Sequence, residues 1–586
     1  MDYSAGGALA HTTDPASPLR GTSDQMLTHI SFNAGASPGK PGLAFALSPV
    51  TIFVGPNNSG KSRALIEIEG WVTRARAPEG QINRQLEFEP WERSAFESEV
   101  AKIEVQPAPS ETVNSDHVLL AKLRPQDNAA ARVQINREAL FNDAANPIDN
   151  HRHHYANYLA LYTIRLDGRN RLSLTDDKPS GDLLKVAPNH LAKLFVDDIS
   201  RKEVRRIVFE AFGKYLVVDP TNIGQLRLRL SSTAPVNDRE EQGWDHAAQE
   251  FHRAAALLSD ASDGVKAFVG MLTTLIAGEP KITLIDEPEA FLHPTLCARL
   301  GKEVTTALSN TRRRLFVATH SASFLMGCVQ GGAPINIVRL TYDNASATAR
   351  LLTKDRLVPL MRNPLLRSIG VLDALFYNAV VVTEADADRA FYQEVNERLL
   401  QARDPRGIEG CLFLNAQNKQ TVWDIVHPLR ELGIPAVGIV DIDVLKEGGA
   451  VWAKPMHGAF IPDISHPAMG TERGAFLNAF LATGKDMKRD GGIEVLPAAE
   501  KEACESFFSK LAEYGAFVVP CGEVESWLRG VTLNRGKSTW LNTVFEAMGE
   551  DPALATYVRP AAGDVWDFLG KISRWVNDPK RKGIPD

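Results

Sequence analysis

The five cysteines, Cys297, Cys328, Cys411, Cys504 and Cys521, include no CxxC pair. That excludes a zinc ribbon and argues against a disulfide framework. No apolar run is long enough to span a bilayer. The opening MDYSAGGALAHTTDPASPLRGTSDQ lacks the basic start and apolar stretch of a secretory signal. No tandem repeat is present. Charge of one sign is also in short supply, with a formal net charge of only −7. Nucleic-acid binding depends on local patches and on metal ions rather than on net charge, so this value excludes no such partner. Together these absences fit a cytoplasmic protein of a reducing compartment, without a membrane partner.

What remains is ordinary globular composition, 44% hydrophobic and 23% charged, over 586 residues. Such a length predicts three to four domain-sized units. Residues 1–26, rich in Ser, Gly, Ala, Thr and Pro, read as a loose tail. From there short apolar strands alternate with amphipathic helices, which predicts an α/β fold with parallel sheet. Residues 282–285 and 315–318 flank a helix over 294–309, and a hairpin is predicted over 335–352 around Asp343. A second alternation begins at 380–383, so a boundary is expected between residues 364 and 379. Residues 80–250 show no clean period and read as an insertion.

Two motifs carry nucleotide chemistry. Gly55 to Ser62, GPNNSGKS, satisfies GxxxxGK[ST] between a predicted strand and a predicted helix. In such a loop the backbone amides, here of Asn57, Asn58 and Gly60 among others, wrap phosphates together with the helix N-terminus. Lys61 adds positive charge, and the Ser62 hydroxyl is placed to ligate Mg2+. Further on, KITLIDEPEAFLHP (281–294) delivers two adjacent acids at the end of an apolar strand. Asp286 is expected to hold the Mg2+ shell and Glu287 to polarise the attacking water. The strand at 317–318 then leads to His320, within reach of a γ-phosphate.

With these pieces in order the chain resembles ABC-type ATPases of the RecF and SMC kind, and in particular the OLD (overcoming lysogenization defect) nucleases. EPEAFLHP is similar to their Walker B segment, and His320 matches their switch histidine. Residues 259–266, SDASDGVK, occupy the place of their signature loop, with Ser262 and Gly264 as contacts. This stretch departs from LSGGQ, and a plain helix N-cap is the alternative. In that family the signature of one subunit closes the nucleotide site of another, so the resemblance implies a homodimer or a larger even oligomer.

The C-terminal part has its own acids. VVVTEADAD (380–388) ends an apolar strand in Glu384, Asp386 and Asp388, and AVGIVDID (436–443) does the same with Asp441 and Asp443. Ligands collect at the carboxyl ends of parallel strands, so these acids are expected to converge. A third strand-like run at 516–519 leads to Glu523 and Glu525. Taken singly, each acid is a common solvated loop residue. As a set they repel one another unless a cation compensates, and hard oxygen donors suit Mg2+ or Mn2+.

The order Glu, DxD, acid resembles the TOPRIM fold of topoisomerases, bacterial primases and OLD nucleases, with Ala385 standing where that family usually has Gly. The resemblance implies Glu384, Asp388, Asp441, Asp443 and a glutamate of 523–525 as metal ligands. Glu384, Asp441 and Asp443 would be catalytic. Lys419 is either a phosphate contact or part of a solvated helix start. The expected architecture is therefore an ABC-type P-loop ATPase at 27–365, with its insertion at 80–250, followed by a C-terminal TOPRIM α/β domain at 375–586.

The function implied is an ATP-gated, Mg2+-dependent endonuclease acting on DNA or RNA in bacterial anti-phage defence. It would act alone or beside a helicase or reverse transcriptase. The alternative is a DNA-repair or sensor ATPase whose TOPRIM domain binds nucleic acid without cutting. Topoisomerase is disfavoured because no tyrosine nucleophile advertises itself, and primase because the zinc ribbon is missing. Three other clusters read as surface: His151, His153 and His154; the basic stretch Arg201 to Arg206; and Lys580 to Lys582. Arg312 to Arg314 reads as an ordinary turn.

Overall fold

The computed structural model describes residues 27–585 except 77–79, 123, 126, 128–129, 183, 185–186, 310, 344–345, 369 and 532–538. The expected N-terminal tail, 1–26, lies outside the described residues.

Two sheets organise the chain. The first has six strands in the order Ala347–Leu352, Ile335–Tyr342, Val50–Val54, Arg314–Ala318, Ile282–Asp286, Thr163–Leu166. Ala347–Leu352 pairs antiparallel with its neighbour, and every other pair is parallel. All five residues of Val50–Val54 are buried, so the strand, apolar except for Thr51, shows no in–out alternation. Fully burying such side chains contributes about 1.5–3 kcal/mol each. The helix Lys61–Arg74 follows this strand directly after the glycine-rich loop. A small antiparallel sheet, Ala44–Ala46, Leu27–Phe32 and Asn83–Phe88, stands beside it.

The second sheet is all parallel, ordered Cys411–Asn415, Ala379–Thr383, Ala436–Val440, Ala516–Val518. The helices Asp386–Gln401 and Val422–Glu431 make two of its three crossovers.

The stretch read as an insertion is not separate from the first sheet. Thr163–Leu166 is the edge strand beside Ile282–Asp286, and Asn83–Phe88 pairs with Leu27–Phe32. The stretch read as a basic surface, and the one read as an ordinary turn, each hold a buried arginine. Arg201 is buried and lies 3.3 Å from the buried Glu241, which Arg205 also contacts. Arg314 is buried as well, and its guanidinium donates to the Leu27 carbonyl. Both are internal struts. His154 bonds Asp143 on the preceding helix.

The halves are stitched together through Arg339, on the strand next to Val50–Val54. Its buried guanidinium donates to the carbonyls of Tyr377 at 2.8 Å, Leu375 at 3.4 Å and Gly433 at 3.5 Å. Among the described residues, no helix is long and apolar enough to cross a membrane.

Candidate functional site

The parallel strands of the first sheet bring the two nucleotide motifs together. Lys61 is buried at the start of its helix, and its ammonium donates to the Gly55 carbonyl at 2.9 Å and the Pro56 carbonyl at 2.7 Å. Burial lowers its pKa to about 8, against the opposing pull of Asp286, Glu287 and Glu289. The Ser62 hydroxyl donates to Asp286 Oδ1 at 3.0 Å, which links the loop to the strand Ile282–Asp286. Burial raises the Asp286 carboxyl.

Glu287 has φ of +53°, a left-handed conformation that is costly for a side chain, on the order of 1–3 kcal/mol. Its amide is anchored on the Ala318 carbonyl at 2.8 Å. The buried Arg171 locks the same turn, donating to the carbonyls of Asp286 at 2.8 Å, Glu287 at 2.7 Å and Asp167 at 2.9 Å. Glu289 accepts from the His320 amide at 2.6 Å and the Thr319 hydroxyl at 2.8 Å. It thereby ties the acidic loop to the histidine. His320 itself has a lowered pKa, through burial and then the Lys61 charge.

Asn57 and Asn58 are exposed on the loop, and Gly60 begins the helix. Ser262 and Gly264 lie at the start of the helix Asp263–Ile276. A Cβ on Gly264 would lie 2.6 Å from the Phe291 carbonyl, so close packing alone demands glycine there. Ser262 is the N-cap residue, with no side-chain cap hydrogen bond.

A cavity of about 440 Å³ joins this site to the second half of the chain. Pro56, Asn57 and His320 line one side, and Asp373, Phe376 and Asn378 the other. Asn378 immediately precedes the strand Ala379–Thr383, whose far end presents Glu384.

At that end the second cluster forms. Ligand oxygens of Glu384, Asp441 and Asp443 all lie within 4.8 Å of one another. Glu384 Oε1 accepts from the Asp441 amide at 2.9 Å. Burial raises the carboxyl pKa values of both Glu384 and Asp441, and their mutual repulsion adds to the rise at Glu384. Asp388 caps its helix by accepting from the Ala385 amide at 3.2 Å, and burial followed by Asp441 pushes it up to about 7. Ala385 has φ of −133°, ordinary extended backbone, so no glycine is needed after Glu384. The charge of Glu525 adds to the rise at Asp388.

The organising cation was not legible in the sequence. Lys488 Nζ lies 2.6 Å from Asp441, 3.7 Å from Asp443 and 3.9 Å from Glu523. Burial alone would lower this lysine, but Asp441, Asp443 and Glu384 outweigh it and raise its pKa. Gly522 makes room for it: with φ of +115°, a Cβ there would strike the Lys488 carbonyl at 2.1 Å. Lys419 reaches Asp443 at 3.5 Å and Glu447 at 2.5 Å, so it sits at the rim of this cluster rather than on a solvated helix start.

The donor set suits a hard divalent cation. Every donor is a carboxylate, and Asp443 Oδ1 is buried with no hydrogen-bond partner among the described residues.

Residues 50–326 match the family model described as "AAA domain, putative AbiEii toxin, Type IV TA system". This span holds the glycine-rich loop, the Asp286–Glu287 pair and His320. Residues 50–326 form an AAA-type ATPase domain. Nucleotide, usually with Mg2+, is therefore the cofactor of this domain.

No curated protein matches the chain. Among solved structures it is similar to an Smc head bound to the C-terminal winged-helix domain of ScpA, at 12% identity and TM-score 0.30, covering 57% of this chain and 99% of that one. An SMC head domain from Thermotoga maritima shares 13% identity at TM-score 0.27, covering 56% and 99%. An Smc head from Pyrococcus furiosus with an extended coiled coil shares 10% at TM-score 0.30, covering 57% and 98%. The strand order and loop geometry, not these distant likenesses, define how the ATPase domain holds its site.

Proposed function

We propose that this protein is an ATP-gated, Mg2+-dependent endonuclease. In this reading an ABC-type ATPase, dimerised through its heads, controls a C-terminal nuclease domain of TOPRIM type and OLD-like arrangement. The observation that carries it is the convergence of Glu384, Asp441 and Asp443 at the ends of two neighbouring parallel strands. Clustered carboxylates with raised pKa values are costly unless a cation serves them, and such clusters concentrate at catalytic sites.

Glu384, Asp441 and Asp443 would hold Mg2+ or Mn2+, with Asp388 and Glu523 at the margin. When bound, such ions supply an activated water and stabilise the leaving oxygen in phosphodiester cleavage. Lys488 would hold the carboxylates in place and offer its ammonium to a substrate phosphate. In the ATPase domain Lys61 and the loop amides would bind the nucleotide phosphates, and Ser62 with Asp286 would orient the Mg2+ shell. Glu287 would accept the proton of the attacking water, and His320 would sense the γ-phosphate. Gating is supported by the cavity that runs from Asn57 and His320 to Asn378, at the base of the strand that ends in Glu384.

A nucleic-acid substrate follows from this chemistry. The toxin and TA wording of the matching family model accords with a role in anti-phage defence. The test incubates purified protein with plasmid DNA and total tRNA, with Mg2+ or Mn2+, with and without ATP, beside Glu384→Ala and Asp441→Ala. Cleavage lost in both variants is the expected result. No cleavage under any condition, with ATP hydrolysis intact, would overturn the nuclease and favour a sensor ATPase.

A further inference from the structure

A second cluster of ligand-type side chains lies away from both sites. His457 sits in the last turn of the helix Gly449–Gly458, Asp463 follows Pro462 in a short 3-10 turn, and His466 opens the helix His466–Ala482. One ligand atom from each falls within 4.8 Å of the other two. His457 Nδ1 is 4.0 Å and His466 Nδ1 3.7 Å from the same oxygen, Asp463 Oδ1. The two imidazoles meet edge to face, with centroids 5.0 Å apart.

The tautomer of His466 decides what this cluster wants. His466 Nε2 lies 2.8 Å from the Ile461 carbonyl, which can only accept, so Nε2 carries the proton. In the neutral ring Nδ1 is then a bare lone pair facing a carboxylate oxygen. Two acceptors in that position repel unless a proton or a metal cation lies between them. A backbone carbonyl that orients a histidine through its other nitrogen is the usual outer partner of a metal-binding imidazole.

We propose that His457, Asp463 and His466 form a binding site for a first-row transition-metal dication, Zn2+ in the first instance. Two imidazoles and one carboxylate suit Zn2+, whereas Mg2+ prefers an all-oxygen shell. Zn–ligand bonds of about 2.0–2.1 Å place tetrahedral ligand atoms roughly 3.3–3.4 Å apart. The two histidine–aspartate spacings, 4.0 and 3.7 Å, need to close by less than an ångström. The side chains of His457 and Asp463 are 63% and 89% exposed and move without disturbing the core. Three protein ligands leave the fourth position open to water or an exogenous group. Bound there, the ion would clip the two helices together. The second of them braces the acidic cluster, because Arg473 donates to the Leu445 carbonyl two residues beyond Asp443.

The test titrates Zn2+ calorimetrically into the full chain in excess Mg2+, which serves the carboxylate site and leaves imidazoles free. Wild type, Asp441→Ala and His457→Ala/His466→Ala are compared, with far-UV circular dichroism as the folding check. Losing an outer partner alone weakens metal sites roughly 10–100-fold, so removing two ligands should cost about 100-fold or more. Wild type and Asp441→Ala are expected to bind an equivalent of Zn2+ that the histidine variant lacks. Co2+ in its place should give tetrahedral visible bands lost in the same variant. Equal Zn2+ binding by wild type and the folded histidine variant, or no such binding by wild type, would overturn the proposal.

Discussion

The ammonium of Lys488 stands 2.6 Å from the carboxylate of Asp441, both at least three-quarters shielded from solvent, in a turn remote in sequence from the strand it serves. The lysine does in the protein what a divalent ion is proposed to do, compensating acids that would otherwise repel. Lys488→Ala should therefore lower the metal-free stability by about 2 kcal/mol, since it leaves the acids unpaired. It should also enlarge the stabilisation that Mg2+ confers. Thermal melts with and without Mg2+ check this; an unchanged Mg2+ response in the variant would contradict it.

Within the ATPase domain, Lys61→Ala is expected to abolish nucleotide binding. Glu287→Gln should leave binding intact while slowing hydrolysis by about 100-fold or more, the usual scale for a positioned general base. Phosphate release and fluorescent-nucleotide binding separate the two effects. Hydrolysis at the wild-type rate in Glu287→Gln would transfer the role to another acid, with the half-buried Glu289 the first to examine.

Arg171 holds three backbone carbonyls around the strained Glu287 turn. Arg171→Ala strands those acceptors and should destabilise the chain by about 3 kcal/mol. Arg171→Lys should recover little of this, because an ammonium cannot copy the guanidinium fork. Both variants should lose ATPase activity at temperatures where they remain folded. A fully active, stable Arg171→Ala protein would show that the turn holds itself.

His190 is wholly buried, and its Nε2 pairs with the Leu174 carbonyl at 2.9 Å. Burial depresses its pKa from 6.5 to about 4. A depressed folded value means the associated stability is complete above pH 6.5 and is lost as pH falls through about 4. His190→Gln should be less stable than wild type near neutrality, with a gap that narrows on acidification toward pH 4. Melting series across that range test it, and a gap that stays constant would exclude His190 as the titrating group.

The glycine-rich loop and the acidic strand ends were legible because each couples a short, mostly apolar run to a fixed polar punctuation. Residues 335–342 and 347–352 were legible as a hairpin for a similar reason. Thr163–Leu166 was not: four residues interrupted by Arg165 carry no period, and only pairing with Ile282–Asp286 makes them a strand. Lys488 and Arg171 were invisible, and Arg201 read as surface within its basic stretch, for another reason. Lone basic residues read as surface by default, and burial beside distant acids or carbonyls is created only by the tertiary fold. Likewise His457, Asp463 and His466 straddle two helices, whereas the tighter triplet at His151, His153 and His154 drew notice without forming such a group.

Arg339 carries a consequence for how this protein can be rebuilt. Its guanidinium belongs to one half of the chain, and the carbonyls that satisfy it belong to the other. A chimera that exchanged either half alone would strand a buried charge, at a cost of several kcal/mol. The two halves therefore have to be exchanged as a matched pair.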